Sequence, residues 1–329
     1  MKAQIIGTIA LFIAVALPAS APARQTKPQA PGFYRLMVGA IEVTALNDGV
    51  VSYRTAQLLP TATPEQITKG LYEAGLSDPW VMSYNAYLIN TGDKLVLIDT
   101  GTGGKLDDSP FFAGAGRLVA NLRASGYRPE LIDEVYITHL GPDHVGGLTK
   151  GKQRAFPNAV LRVARSEVAV FLKPDAAQAN PKDWRIPFWR DLFQPYINAG
   201  KFQPFDEDGP LANGIRAVAT PGHTPGHTSY LIESKWQKLL VLGDLILVAA
   251  MQFADPSLPT PFDADQRGGI AQRYRMLELA AREDYVLAGA HLSFPGLGRV
   301  RATSSAYRWI PLDYSIPAES RRPASHRRP

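Results

Sequence analysis

The run Thr138-His139-Leu140-Gly141-Pro142-Asp143-His144-Val145-Gly146-Gly147 constrains this chain more than any other segment. It directly follows Glu134-Val135-Tyr136-Ile137, a short apolar stretch of strand-like character. Two imidazoles and a carboxylate are therefore crowded into a turn at a strand's end. Such a turn aims several candidate metal ligands at one spot.

The pattern recurs along the chain. Of six histidines, five fall in three short motifs. The second motif is Thr220-Pro221-Gly222-His223-Thr224-Pro225-Gly226-His227-Thr228, and the third is Ala288-Gly289-Ala290-His291. Between them Leu242-Gly243-Asp244 places a carboxylate just after an apolar strand. Imidazole and carboxylate together suit zinc, iron or manganese rather than calcium. One histidine after a strand is ordinarily a hydrogen-bonded structural residue. Five on such turns, with two carboxylates, make coincidence much the weaker reading.

Composition narrows the class. The chain has 329 residues, 45% hydrophobic and 20% charged, as a soluble globular protein with a sizeable core would be. The net charge of +5 is set by Lys2 and by Arg321, Arg322, Arg327 and Arg328 near the end. Without those five the 35 basic residues become 30, against 30 acidic ones, so the body is neutral and offers nucleic acid no basic patch. The absence of cysteine excludes disulfides, thiolate ligands and lipid attachment at cysteine. Lys2, the apolar Ile5–Leu17 and the Ala21-Pro22-Ala23 site predict a cleaved export signal over residues 1–23. A periplasmic or secreted location follows, with no stable membrane insertion after cleavage. Residues 24–32 read as a linker, 33–316 as the folded domain and 317–329 as a disordered basic tail.

Strand-like alternation marks Tyr34–Val38 and Ile41–Leu46, the latter ending in an Asn47-Asp48-Gly49 turn signal. Helical spacing marks residues 64–75, Leu118–Ser125 and about Gly269–Ala281. Tyr87–Asn90 and Lys94–Asp99 form a hairpin across Thr91-Gly92-Asp93. Further apolar strands stand at Ala159–Val163, Ile215–Val218, Ser229–Ile232, Leu239–Leu242 and Tyr285–Ala288. Strand groups mixed with flanking helices predict an α/β (α+β) unit, two sheets packed together with helices outside.

The ordered set His139, Asp143, His144, His223, Asp244, His291 resembles the metallo-β-lactamase superfamily signature His-x-His-x-Asp-His and its downstream ligands, except that Gly141 stands where the middle histidine would be. Phe156-Pro157-Asn158-Ala159-Val160, Gly222–His227, Leu242–Val248 and Ala290–Gly296 look like the methyl parathion hydrolase group within it. That resemblance implies an αββα sandwich of two mixed sheets with helices on the outer faces, a homodimer, and a small-molecule ester as substrate. It implies one metal on His139, His223 and Asp244, with the ligand position at Gly141 vacant, and another on Asp143, His144, Asp244 and His291. Asp244 would bridge the two. Asp99 would orient a liganding imidazole, and His227 would stabilise its turn or support a ligand.

One or two divalent ions are expected, zinc first, with iron or manganese also fitting. The expected reaction is attack of a metal-bound hydroxide, available near neutral pH because the metal lowers water's pKa to roughly 7, on an organophosphate triester, aryl ester or lactone. Asp143 and Asp244 are the expected catalytic carboxylates. The alternative is a catalytically impaired, metal- or ligand-binding pseudoenzyme on the same fold. Phe111, Phe112, Phe171, Phe188, Trp189, Leu247 and Phe294 are expected in the substrate pocket. Restoring histidine at Gly141 is expected to raise metal occupancy.

Overall fold

Phe33–Val38 (β1) and Ile41–Tyr53 (β2) pair antiparallel, with Phe33 opposite Leu46 and Val38 opposite Ile41. β2 continues against Trp80–Asn90 (β3), and β3 against Leu95–Ile98 (β4). Glu134–Tyr136 (β5) joins β4 in parallel. A two-stranded ribbon of Thr149–Lys150 (β6) and Gln153–Arg154 (β7) lies outside the sheet. Val160–Arg162 (β8) then completes a six-stranded order β1-β2-β3-β4-β5-β8.

A second sheet follows, from Gly209–Ala212 (β9), Ile215–Ala219 (β10), Thr228–Ser234 (β11), Gln237–Val241 (β12), Val286–Ala288 (β13), Leu297–Ala302 (β14) and Tyr307–Pro311 (β15). Its order is β15-β14-β13-β12-β11-β10-β9, and only β12–β13 is parallel.

The period-2 alternation of these strands decides what each face buries. Val43, Tyr87, Ile89, Val96 and Ile98 meet Ala217, Tyr230, Ile232, Leu239 and Val241 in the layer between the sheets. The opposite residues of the first sheet, among them Leu46, Leu88, Leu97 and Val135, pack with Leu122, Trp189 and Phe193 from the helices Leu118–Ala124 and Arg185–Asn198. Leu240, Leu287 and Val300 of the second sheet pack with Met276, Leu277 and Ala280 of the helix Gln266–Arg282. The layering is αββα, as the sequence pattern implied.

The structure, a computed structural model, describes residues 29–106, 109, 112–173, 181–206 and 208–314, the side chains of Val170 and Phe171 excepted. The expected signal (1–23), the linker up to residue 28 and the basic tail lie outside the described residues. Among those described, no helix is long and apolar enough to cross a membrane.

One local expectation is corrected. Asn47-Asp48-Gly49 is not a turn: β2 runs through it with a bulge, the register with β3 shifting between Asn47 and Gly49. The cause is Asp48. Its carboxylate accepts from the N–H groups of Thr102, Gly116 and Leu118 and from the Thr102 hydroxyl, all at 2.9–3.0 Å, rather than from its own backbone. Turn formers signal a turn only when their side chains are satisfied locally. Here they hold a distant loop against the sheet.

Candidate metal centre

The donors sit on the connections that leave the strand ends. Asp99 follows β4, Thr138 and His139 lie shortly after β5, and Asp244 and His291 come shortly after β12 and β13. His223 and His227 occupy the connection between β10 and β11, and Asp143 and His144 lie in the short helix Pro142–Val145. The two sheets thus bring His139, Asp143, His144, His223, Asp244 and His291 to one place.

The ring hydrogen bonds decide what each imidazole can offer. His144 Nδ1 donates to Asp99 Oδ2 at 2.8 Å, and His223 Nδ1 to Asp263 Oδ1 at 2.9 Å. His291 Nδ1 donates to the carbonyl of Ser83 at 3.3 Å, and His139 Nδ1 lies 3.1 Å from the Thr138 hydroxyl, which itself donates to Asp99. A neutral imidazole whose Nδ1 carries the proton presents a lone pair at Nε2.

All four Nε2 atoms face the carboxylates. Asp244 Oδ2 lies 3.7 Å from His139 and 3.5 Å from His223, while Oδ1 lies 3.1 Å from both His144 and His291. Asp143 Oδ2 is 3.5 Å from His144 and 3.4 Å from His291. His144 Nε2 and Asp244 Oδ1 are buried without a hydrogen-bond partner although 3.1 Å apart, because their approach is misaligned. His291 Nε2 is within hydrogen-bond reach of Asp244 Oδ2, at 3.2 Å. Lone pairs converging this way repel one another unless a proton or a cation lies among them. Donor atoms of His139, His144 and Asp244 lie within 4.8 Å of one another, and so do those of Asp143, His144 and His291. The donor set fits divalent metal.

Burial drives His139 well below the usual imidazole range, and the neighbouring His144 adds to this. Burial alone would lower His144 too, but Asp244, Asp143 and Asp99 outweigh it and hold it well above, so a metal must displace a proton to take its Nε2. Burial would raise Asp244, yet His291, His144 and His139 keep it well below the usual carboxylate value. Asp143 is lowered against burial in the same way, chiefly by His144.

His227 stands beside this cluster. Its Nε2 accepts from the Asp244 backbone N–H at 3.0 Å and its Nδ1 lies 2.8 Å from the Thr220 hydroxyl, so it braces the Asp244 turn.

Sequence reasoning missed three groups. Asp263 orients His223, accepts from Thr260 N–H and lies 3.8 Å from the guanidinium of buried Arg273. Arg273 donates to the carbonyls of Leu245, Pro256 and Leu258. Glu167, only 3% exposed, accepts from Leu140 N–H at 2.8 Å and Gly226 N–H at 2.9 Å. Each acts on residues distant in sequence, and no motif marks them.

His139, Asp143, His223, Asp244 and His291 line a cavity of about 650 Å³. Phe112, Trp189 and Leu247 line it, joined by Tyr53, Leu58, Met82, Tyr84, Trp184 and Phe262, which sequence reasoning did not single out. The phenol oxygens of Tyr53 and Tyr84 are 2.7 Å apart, and burial holds both as neutral hydroxyls, with Tyr53 pushed up to about 12. Phe188 packs against the core under the first sheet's outer face and Phe294 against the layer between sheets, so neither lines the cavity. Phe111 and the side chain of Phe171 lie outside the described residues.

The family model described as the metallo-beta-lactamase superfamily matches residues 79–291. A crystal structure described as hydrolase AbOPH in the beta lactamase superfamily is 30% identical, with a TM-score of 0.79 over 88% of this chain and 100% of its own. AidC, a dizinc quorum-quenching lactonase solved in complex with a product, is 26% identical, with a TM-score of 0.77 over 87% and 99%. The N-acyl homoserine lactonase of Bacillus cereus is 26% identical over 219 residues, 62% of this chain and 79% of that protein.

Proposed function

The chain belongs to the metallo-β-lactamase superfamily of metallo-hydrolases, and from that premise we propose that it hydrolyses a neutral carboxylic ester, a lactone first, beside one or two divalent ions, preferentially zinc. The observation that carries this reading is the convergence of four imidazole Nε2 atoms on two carboxylates that line an apolar cavity. The lactonase relatives support the ester chemistry.

His139, His223 and Asp244 Oδ2 would hold one ion; Asp143, His144, His291 and Asp244 Oδ1 would hold the other. When bound, such ions supply Lewis acidity and lower the pKa of coordinated water toward neutrality. Asp143 is the more exposed carboxylate of the pair, at 14% against 7% for Asp244, and both line the cavity. Both carboxylates stay ionised and keep their oxygens available. Aromatic and aliphatic walls exclude water from the ester.

The walls away from the metal ligands hold no cation dedicated to an anionic substrate. Among the described residues their lysine and arginine content is Arg185 alone, and Asp183 binds that guanidinium through two 2.8 Å bonds. The same walls accept an aryl ester or organophosphate triester, the narrower resemblance seen in the motifs.

The test is turnover of purified, zinc-loaded protein on lactone, aryl ester and phosphotriester panels, with metal content measured on the same sample. Lactone opening at the highest kcat/KM is the expected result. Full metal content with no turnover on any panel would overturn the hydrolase reading and leave a metal-binding pseudoenzyme.

A further inference from the structure

We infer that Glu167 is a positioning residue: its buried carboxylate joins the loop of His139 to the turn of His223 and so sets how tightly that half of the centre holds metal. The inference rests on the hydrolase reading only for the identity of the bound group.

Glu167 lies in the first turn of the helix Arg165–Leu172, where a carboxylate is favoured by the helix dipole. Its two oxygens divide their work. Oε1 accepts from Leu140 N–H, the residue after His139, and Oε2 from Gly226 N–H, three residues after His223. The contact at Gly226 is close: a Cβ there would stand 2.3 Å from Glu167 N. Both bonds are charge-assisted and buried, the setting in which such bonds are strongest.

The other half of the centre has separate supports. Asp99 holds Thr138 N–H and His144, Thr100 N–H donates to the His144 carbonyl at 2.7 Å, and Ser83 holds His291. None of these touches the Thr220–His227 turn, whose one link to this half is His227 against the backbone of the shared Asp244. A further bond, Thr228 N–H to the Thr138 carbonyl at 2.9 Å, keeps the two segments in the fold whatever stands at 167. The half on His139 and His223 also lacks a side chain at Gly141, so it depends most on the spacing of the two imidazoles that remain.

Two variants test this. Glu167→Gln keeps the shape but turns an NH2 toward one of the two N–H donors, so one bond is lost. Glu167→Asp keeps the charge but is one methylene too short to reach both amides. Metal-free protein is titrated with zinc against a chromophoric chelator, and its melting temperature is measured without metal.

The parent is expected to take up two ions of unequal affinity. Both variants are expected to weaken the weaker ion by about tenfold or more, with the tighter ion much less affected and the metal-free melting temperature lowered by only a few degrees for the one buried bond lost. Equal weakening of both ions, no change in either, or a parent that binds one ion would overturn the inference. So would an Asp variant that behaves as the parent, since that would make charge rather than reach the operative property. These outcomes are read without substrate, so they stand apart from failure of the hydrolase reading, which is read by turnover.

Discussion

Replacing Gly141 tests the geometry most directly, and the outcome runs against the expectation from sequence. A vacant ligand position invites the return of histidine. The structure shows the space already taken. An ideal Cβ at Gly141 would stand 2.5 Å from His139 Nε2, 2.8 Å from His144 Cδ2 and 3.3 Å from Asp143 Oδ1. The backbone is not the obstacle, since φ −58° and ψ 137° suit any residue. To reach an ordinary contact, His139 Nε2 must withdraw by roughly 1 Å. That ring has little room. It is 2% exposed, with ring centroids 4.1 Å from His144, 4.8 Å from His223 and 5.3 Å from His227. Overpacking of this kind costs about 1–3 kcal/mol, so metal binding that pulls His139 back toward Asp244 should weaken about 5- to 150-fold. Gly141→Ala isolates that cost. Gly141→His adds a donor but displaces one, so it should bind zinc no more tightly than the parent. Chelator competition on metal-free protein measures both. An alanine variant equal to the parent, with a histidine variant binding tighter, would refute the steric argument and restore the simple vacancy.

Asp263→Asn removes the charge behind His223 and should cost about 10- to 100-fold in zinc affinity; unchanged affinity in the same titration would count against that role. Arg273→Met strands the buried carbonyls of Leu245 and Pro256, leaves that of Leu258 to Gln252 alone and takes from Asp263 its cation, so urea unfolding of the metal-free protein should report a loss of about 3–5 kcal/mol. A loss under about 1 kcal/mol would show that water replaces the guanidinium easily. Chelation should lower thermal stability, by about 4 kcal/mol if zinc had been present at a thousandfold over its Kd. Coincident melts with and without chelator would argue that the donors do not hold metal.

Sequence showed the layers well because both sheets are covered on both sides. Leu95–Ile98 and Val286–Ala288 read as apolar runs since neither face meets solvent. The weak strands were those without that signature. Gly209–Ala212 carries glycine and proline, and Leu297–Ala302 and Tyr307–Pro311 carry arginines on exposed positions. The histidine motifs were legible because each packs its donors into a few consecutive residues.

Glu167 and Asp263 were not, for a physical reason. Each is a single carboxylate whose partners lie far along the chain, Leu140 at a separation of 27 and His223 at a separation of 40. A lone carboxylate takes its meaning from burial and from contact, which local pattern does not carry. The aromatic residues of the cavity failed in the same way: Phe188 and Trp189 are adjacent in the same helix, yet only Trp189 turns into it, donating its indole N–H to the Leu140 carbonyl at 2.9 Å.

Drawing donors from both sheets makes the centre a rivet through the sandwich. Asp143, His139 and His144 belong to the first layer, whereas His223, Asp244 and His291 belong to the second. An ion seated there clamps the layers at their strand ends, so its departure loosens the whole seam rather than one loop. Proteases should therefore cut the metal-free protein faster than the loaded one.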